Sequence, residues 1–290
     1  MTPVIHLPPR TGDVGSMDRY PAFSSRYVIS RTVDVWHPLN NRADSAIRYP
    51  VLYLHDGQNL FDPALSFIGV DWGMGEAMTR LIAETGSNGV IMVGIWNTPL
   101  RLREYLPQRP FTTLPEQKLR QDVMERIGGE LLADDYLHFI VEELKPFIDA
   151  RYPTLPDFAN TFIMGSSMGG LISLYALTEY SAIFGGAVCL STHWPIGGEH
   201  LVDAMGAALP KAGHHRLYFD FGTETLDAEY EPYQRRMDRW LRAAGYASGP
   251  DWLSCKFVGA EHSERAWRTR VSLPLRFLLG LDTAGFQPLS

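Results

Sequence analysis

The sequence predicts an α/β protein built on a mostly parallel sheet, and three observations predict it. Short continuous apolar runs recur along the chain, as in strands covered on both faces. Longer stretches with apolar residues at helical spacing separate them. Strand and helix alternate, which builds βαβ units with a parallel sheet between helical layers. No internal repeat or low-complexity linker interrupts the 290 residues, so residues 1–290 read as a single domain.

The elements follow in order. "RYVISRTVDVW" (26–36) alternates apolar and polar residues and predicts a half-exposed strand. "YPVLYLH" (49–55), "GVIMVGI" (89–95), "TFIMG" (161–165), "GGAVCLS" (185–191), "RLYFDFG" (216–222) and "SCKFVG" (254–259) predict strands buried on both faces. Helical spacing marks 130–152, where Leu132, Tyr136, Phe139, Ile140 and Leu144 recur. A second helix over 228–246 should end near Gly245, a C-cap residue. A third, over 265–280, should be kinked or divided by Pro274. Residues 97–129 hold four prolines and little apolar periodicity. They read as an irregular insertion: a lid, a pocket wall or a surface excursion.

Composition narrows the function. Net charge is -7, from 26 basic and 33 acidic residues, which argues against a nucleic-acid surface. The densest basic run, Arg235 to Arg239, is broken by Asp238 and reads as a solvated helix face. Two cysteines, Cys189 and Cys255, sit in apolar runs as small core residues, with one bridge between them left open. No apolar stretch approaches the ~18 residues of a membrane span. The N-terminus lacks a charged segment followed by an apolar one, so the default expectation is cytoplasmic; a periplasmic or secreted protein stays open if a leader was removed. Oligomeric state is not readable.

"IMGSSMGGLIS" (163–173) carries the chemistry. It contains G-x-S-x-G with Ser167 at the centre, between an apolar strand and an apolar helix. A sharp strand-to-helix turn lifts a nucleophilic hydroxyl clear of the sheet and needs small residues two before and two after, here Gly165 and Gly169. It also puts Ser167 at a helix N-terminus, where N–H groups favour developing negative charge.

A nucleophilic serine needs a base and an orienting acid, in chain order Ser, Asp or Glu, His. His262 lies in a loop after an apolar strand, the sheet end where catalytic groups collect, and is the expected base. His214 and His215 precede their strand, and His193 comes too early to follow an acid. In "FDFGTETLD", Asp220 falls inside the strand and reads as structural. Asp227 is preferred as the acid, with Glu224 open. The oxyanion hole should combine the N–H of Met168 with that of Gln58, which follows Gly57 in "YLHDGQNLFD".

Taken together, "HDGQNLFD", "GSSMGG", "FGTETLD" and "GAEHSERAW" resemble the Putative esterase family of α/β-hydrolases, with its esterase D, feruloyl and acetylxylan esterases and enterochelin-esterase-like members. The resemblance spans residues 53–267. It implies an α/β-hydrolase fold, serine esterase activity on a small-molecule ester and no cofactor. It carries the nucleophile to Ser167, the base to His262 and the oxyanion donors to Gln58 and Met168. It also draws Asn97, Arg101, Glu104 and Tyr105, in "NTPLRLREYLP", toward the pocket. Trp72, Trp194 and Tyr105 lie near the motifs and could shape an acyl or alcohol pocket, or simply pack. No metal site emerges: His214 and His215 are adjacent, a poor arrangement for one ion. Acyl transfer to an alcohol or sugar, and an inactive hydrolase fold used for binding, are the rival readings.

Overall fold

The computed structural model describes residues 3–8, 13–38 and 46–283. Its strands are β1 (Ile5–Leu7), β2 (Gly15–Phe23), β3 (Arg31–Pro38), β4 (Val51–Leu54), β5 (Ile91–Ile95), β6 (Thr161–Ser166), β7 (Gly186–Leu190), β8 (Arg216–Gly222) and β9 (Trp252–Phe257). They form one sheet in the order β1-β2-β3-β5-β4-β6-β7-β8-β9. β1, β2, β3 and β5 pair antiparallel, and from β5 to β9 every pairing is parallel.

Strand alternation sends neighbouring side chains into two separate cores. Val51 and Tyr53 enter one, with Ile163, Ala187 and Phe219. Leu52 and Leu54 enter the other, with Met164, Val188 and Tyr218. Helices Ala133–His138, Met168–Glu179, Gly198–Ala207 and Glu231–Ala243 cover the first face. Helix Met74–Thr85 and the C-terminal helices cover the second. With both faces covered, the central strands are apolar throughout, which is why they were visible as unbroken runs. Helix Met168–Glu179 is itself buried from Met168 to Leu177, so its sequence is apolar all round.

The structure departs from the sequence reading in four places. The half-exposed strand expected over 26–36 starts only at Arg31, and β3 is buried at Val33, Asp34, Val35 and Trp36. The more exposed strand is the polar β2, half-buried over Ser16–Arg19 and exposed at Pro21 and Ala22, which the apolar pattern missed. Residues 97–129 are not irregular: they form helices Arg101–Tyr105, Gln108–Thr112 and Gln117–Ile127. Tyr105, Leu106, Phe111, Leu114, Val123 and Ile127 anchor them in the core, at spacings broken by the prolines. The helical stretch 130–152 contains a π-helical turn, Phe139–Leu144, between two α-helical parts. The break around Pro274 falls earlier, between Glu264–Arg268 and Ser272–Leu278, so the proline sits in a first turn, where its missing N–H costs little. Gly245, with φ +89°, follows the helix ending at Ala243 as expected. Cys189 and Cys255 are free and buried. Among the described residues, no helix is long and apolar enough to cross a membrane.

Candidate active site

The C-terminal ends of the parallel strands bring the singled-out residues to one side of the sheet. After β6, Ser167 adopts φ 57° and ψ -120°, a backbone region that a side chain rarely occupies. Its N–H donates to the carbonyl of Leu190 at 2.8 Å, and helix Met168–Glu179 begins immediately after. The glycines make this turn feasible. A Cβ on Gly165 would lie 2.6 Å from the backbone of Gly169. A Cβ on Gly169 would make only ordinary contacts, 3.5 Å from His55, so Gly165 is the stricter requirement.

His262 and Asp227 meet directly. Nδ1 of His262 lies 2.6 Å from Oδ1 of Asp227, and the His262 side chain is 10 % exposed. Oδ2 of Asp227 accepts from the Ser191 hydroxyl and the Gly222 N–H, each at 2.6 Å. Burial pushes the Asp227 carboxyl up, but the bonds from His262, Ser191 and Gly222 outweigh it and hold it below the ordinary range. Glu224, the other acid considered, is exposed. Asp220 faces inward and pairs with Arg270 at 3.0 Å. His193 stands nearby with Nδ1 2.6 Å from the Tyr230 hydroxyl, and burial lowers its pKa to about 4.

The loops carrying Asp227 and His262 are stitched together. The N–H groups of Thr223 and Glu224 both donate to the carbonyl of Ala260 at 3.0 Å. Gly259 N–H donates to Thr223 Oγ1 at 2.8 Å, and His262 N–H to Thr225 Oγ1 at 2.9 Å. Gly222 permits the approach, since a Cβ there would lie 2.0 Å from the Ala260 oxygen. Tyr230 and Trp267 set ring edges against His262, at 5.7 and 5.1 Å between centroids.

Gln58 sits in a single 3₁₀ turn, Gly57–Asn59, after β4. Gly57 packs on the β5 backbone, where a Cβ would lie 2.6 Å from Gly94. Asp56, with φ 56°, organises the turn. Its carboxylate accepts two bonds from Arg101 at 2.7 Å and one from Asn97 Nδ2 at 2.6 Å. Its N–H donates to the Tyr105 hydroxyl at 3.3 Å. Asn97 N–H donates to Gln58 Oε1 at 3.2 Å. Met168 opens the helix after Ser167, so its N–H has no intrahelical acceptor.

A cavity of about 480 Å³ joins these parts. Ser167, His262, Gln58, Asn97 and Arg101 line it, with Asp56, Asn59 and Glu264 on the polar side and Phe67, Ile68 and Trp267 supplying apolar surface. Burial pushes the Glu264 carboxyl up. Four expected pocket residues do not line it. Tyr105 is fully buried behind the Asp56 turn, and Trp194 is in the core with Nε1 donating to Gln234 at 3.3 Å. Trp72 is likewise buried, stacked near Trp267. Sequence proximity to a motif does not say which side of a loop a ring faces. Glu104 is also internal, in a two-bond pair with Arg31 at 3.0 and 2.6 Å. Asp56, Glu264, Ser191 and Trp267 were not singled out, although Asp56, Glu264 and Trp267 lie inside the quoted motifs.

Most of the chain matches known proteins. A family model described as Putative esterase covers residues 24–272. The YbbA protein of Bacillus subtilis (strain 168) is 24% identical over 274 residues, 92% of this chain and 97% of that protein. A siderophore enterobactin esterase of Emericella nidulans is 31% identical over 197 residues, 64% of this chain and 60% of that one. The solved structure of a ferulic acid esterase superposes with a TM-score of 0.62 at 18% identity, over 91% of this chain and 98% of the other, a likeness of fold. The chain belongs to the Putative esterase family of α/β-hydrolases and is a carboxylic ester hydrolase.

Proposed function

We propose that the hydrolase works through an acyl-enzyme on Ser167, with His262 as base and Asp227 as orienting acid. One observation carries this: a serine held at φ 57° lines the same cavity as an imidazole whose other nitrogen is tied to a buried carboxylate. Asp227 accepts a hydrogen bond from Nδ1–H, which leaves the Nε2 lone pair of His262 to take the proton of Ser167. The Ser167 oxygen attacks the ester carbonyl. The N–H groups of Gln58 and Met168 receive the oxyanion, with the helix N-terminus adding favourable field. His262 then gives its proton to the departing alcohol, and water releases the acid by the same steps in reverse.

The cavity also favours a substrate class. Its volume suits a small molecule. Phe67, Ile68 and Trp267 suit a flat apolar group, and Asn59, Asn97, Arg101 and Glu264 suit hydroxyl or amide substituents. An ester of an aromatic acid bearing polar substituents meets both walls. Relatives named for enterobactin and ferulic acid esters support that reading.

The test is Ser167→Ala with p-nitrophenyl acetate, plus a fluorophosphonate probe. The variant should lose on the order of 10⁶ in kcat and should not be labelled, while the native protein is. Retained turnover in a folded Ser167→Ala protein rules the nucleophile out.

A further inference from the structure

Behind Asp227 lies a buried polar group that the proposed chemistry does not use. Ser191 follows β7 with φ 41°, a left-handed conformation uncommon outside glycine and asparagine. It is fully buried, and Asp220, Asp227 and Arg270 are each at most 3 % exposed. Its N–H is held by Asp220, through the carbonyl at 2.8 Å and the carboxylate at 3.3 Å.

The Ser191 hydroxyl has one proton and two lone pairs to place. Trp267 Nε1 and Arg270 Nη2 each lie 3.0 Å from it, and both groups can only donate. Two donors occupy the lone pairs, so the single proton must point at its third neighbour, Asp227 Oδ2, 2.6 Å away. That oxygen therefore receives two N–H or O–H donors, from Ser191 and Gly222. Donors on Oδ2 keep the carboxylate acceptor-only, and the bond on Oδ1 must be donated by His262 Nδ1–H. The order of protons runs from Arg270 and Trp267, through Ser191, to the His262 ring. Arg270 is itself fixed by Asp220, with Nε at 3.1 Å and Nη2 at 3.0 Å.

We propose that Ser191, loaded by Trp267 and Arg270, is a positioning residue that sets the direction of the Asp227–His262 hydrogen bond and so the tautomer in which His262 acts as base. The strained backbone at Ser191 serves the bond: the turn after β7 places the hydroxyl between three partners at the cost of φ 41°. The inference rests on the acyl-enzyme reading with Asp227 as acid.

Ser191→Gly separates this role from plain structure, because glycine adopts φ 41° without strain and only the hydroxyl is lost. Expected is a fall in kcat of about 10- to 100-fold with KM kept, at a temperature where the variant, destabilised by its unpaired Trp267 and Arg270 N–H groups, is still fully folded. Combined with Asp227→Ala, Ser191→Gly should cause no further fall in kcat, since its hydrogen-bonded route to the ring through the carboxylate is then gone. Arg270→Lys, which cannot reach both Asp220 and Ser191 in the same way, should behave alike to a smaller degree, and it carries the test if Ser191→Gly does not fold. Native kcat in the variant tested, or a loss carried over in full to the Asp227→Ala background, overturns the inference. Native kcat in Asp227→Ala alone instead overturns the acyl-enzyme reading beneath it.

Discussion

The guanidinium of Arg101 grips the carboxylate of Asp56 with two bonds of 2.7 Å, one to each oxygen. The contact ties the turn carrying Gln58 to the helix after β5. Burial pushes the Asp56 carboxyl up, but Arg101 and Asn97 outweigh it and hold it below the ordinary range. Arg101 therefore holds this turn as well as lining the cavity. Arg101→Ala strands a charge at a site 5 % exposed, at a cost of about 3 kcal/mol. It should also lower kcat by about 10²-fold through a displaced oxyanion donor. Urea unfolding and kcat check this together. A variant of native stability with only KM raised would reduce Arg101 to a substrate contact.

The backbone at Ser167 supplies a second prediction. The angles φ 57° and ψ -120° suit glycine and burden every other residue. Ser167→Gly should be inactive yet more stable than Ser167→Ala by about 1 kcal/mol, the strain of about 1–3 kcal/mol being partly offset by glycine's freedom in the unfolded chain. Thermal melts of both inactive variants decide it. Equal stability would mean that the turn stores no strain.

Acid should destabilise the protein through histidines held neutral. Burial lowers the pKa of His55 to about 3 and of His193 to about 4, from an ordinary 6.5. In the unfolded chain both rings take up a proton below about pH 6.5. Their stabilising contribution is thus fully present above that pH and is lost as pH falls toward the folded values. For His55, fully buried with Nδ1 2.8 Å from the Tyr136 hydroxyl, the slope is about 1.4 kcal/mol per pH unit. His55→Gln removes the titration and keeps a partner for Tyr136. Unfolding free energies of the two proteins should converge between pH 7 and 4.5; parallel curves would contradict the assignment.

Legibility in the sequence followed burial. β4 to β9 were visible because covering both faces makes most positions apolar, whereas β2 hid behind its polar, half-exposed residues. Ser167 and Gly165 announced themselves because a strained turn accepts so few residue types. Asp227 was distinguishable from Asp220 by position relative to the strand end, and the structure joins it to His262. Tyr105 and Trp194 were misplaced because the direction of a ring depends on long-range packing against Asp56 and Gln234. Ser191 could not have been found: its partners, Asp227, Trp267 and Arg270, lie 36, 76 and 79 residues away.

The stitching of the Gly222–Asp227 loop to the Gly259–His262 loop has a consequence for how such a hydrolase can change its diet. Neither loop can lengthen or tilt without breaking several bonds at once, so Asp227 and His262 travel as one rigid unit. Residues 62–71 contribute another part of the cavity wall, Phe67 and Ile68, and Phe67 stands 85 % exposed. Growth, shrinkage or re-aiming of that segment alters what enters while leaving the proton-handling machinery untouched, and acceptance of bulkier esters should evolve there.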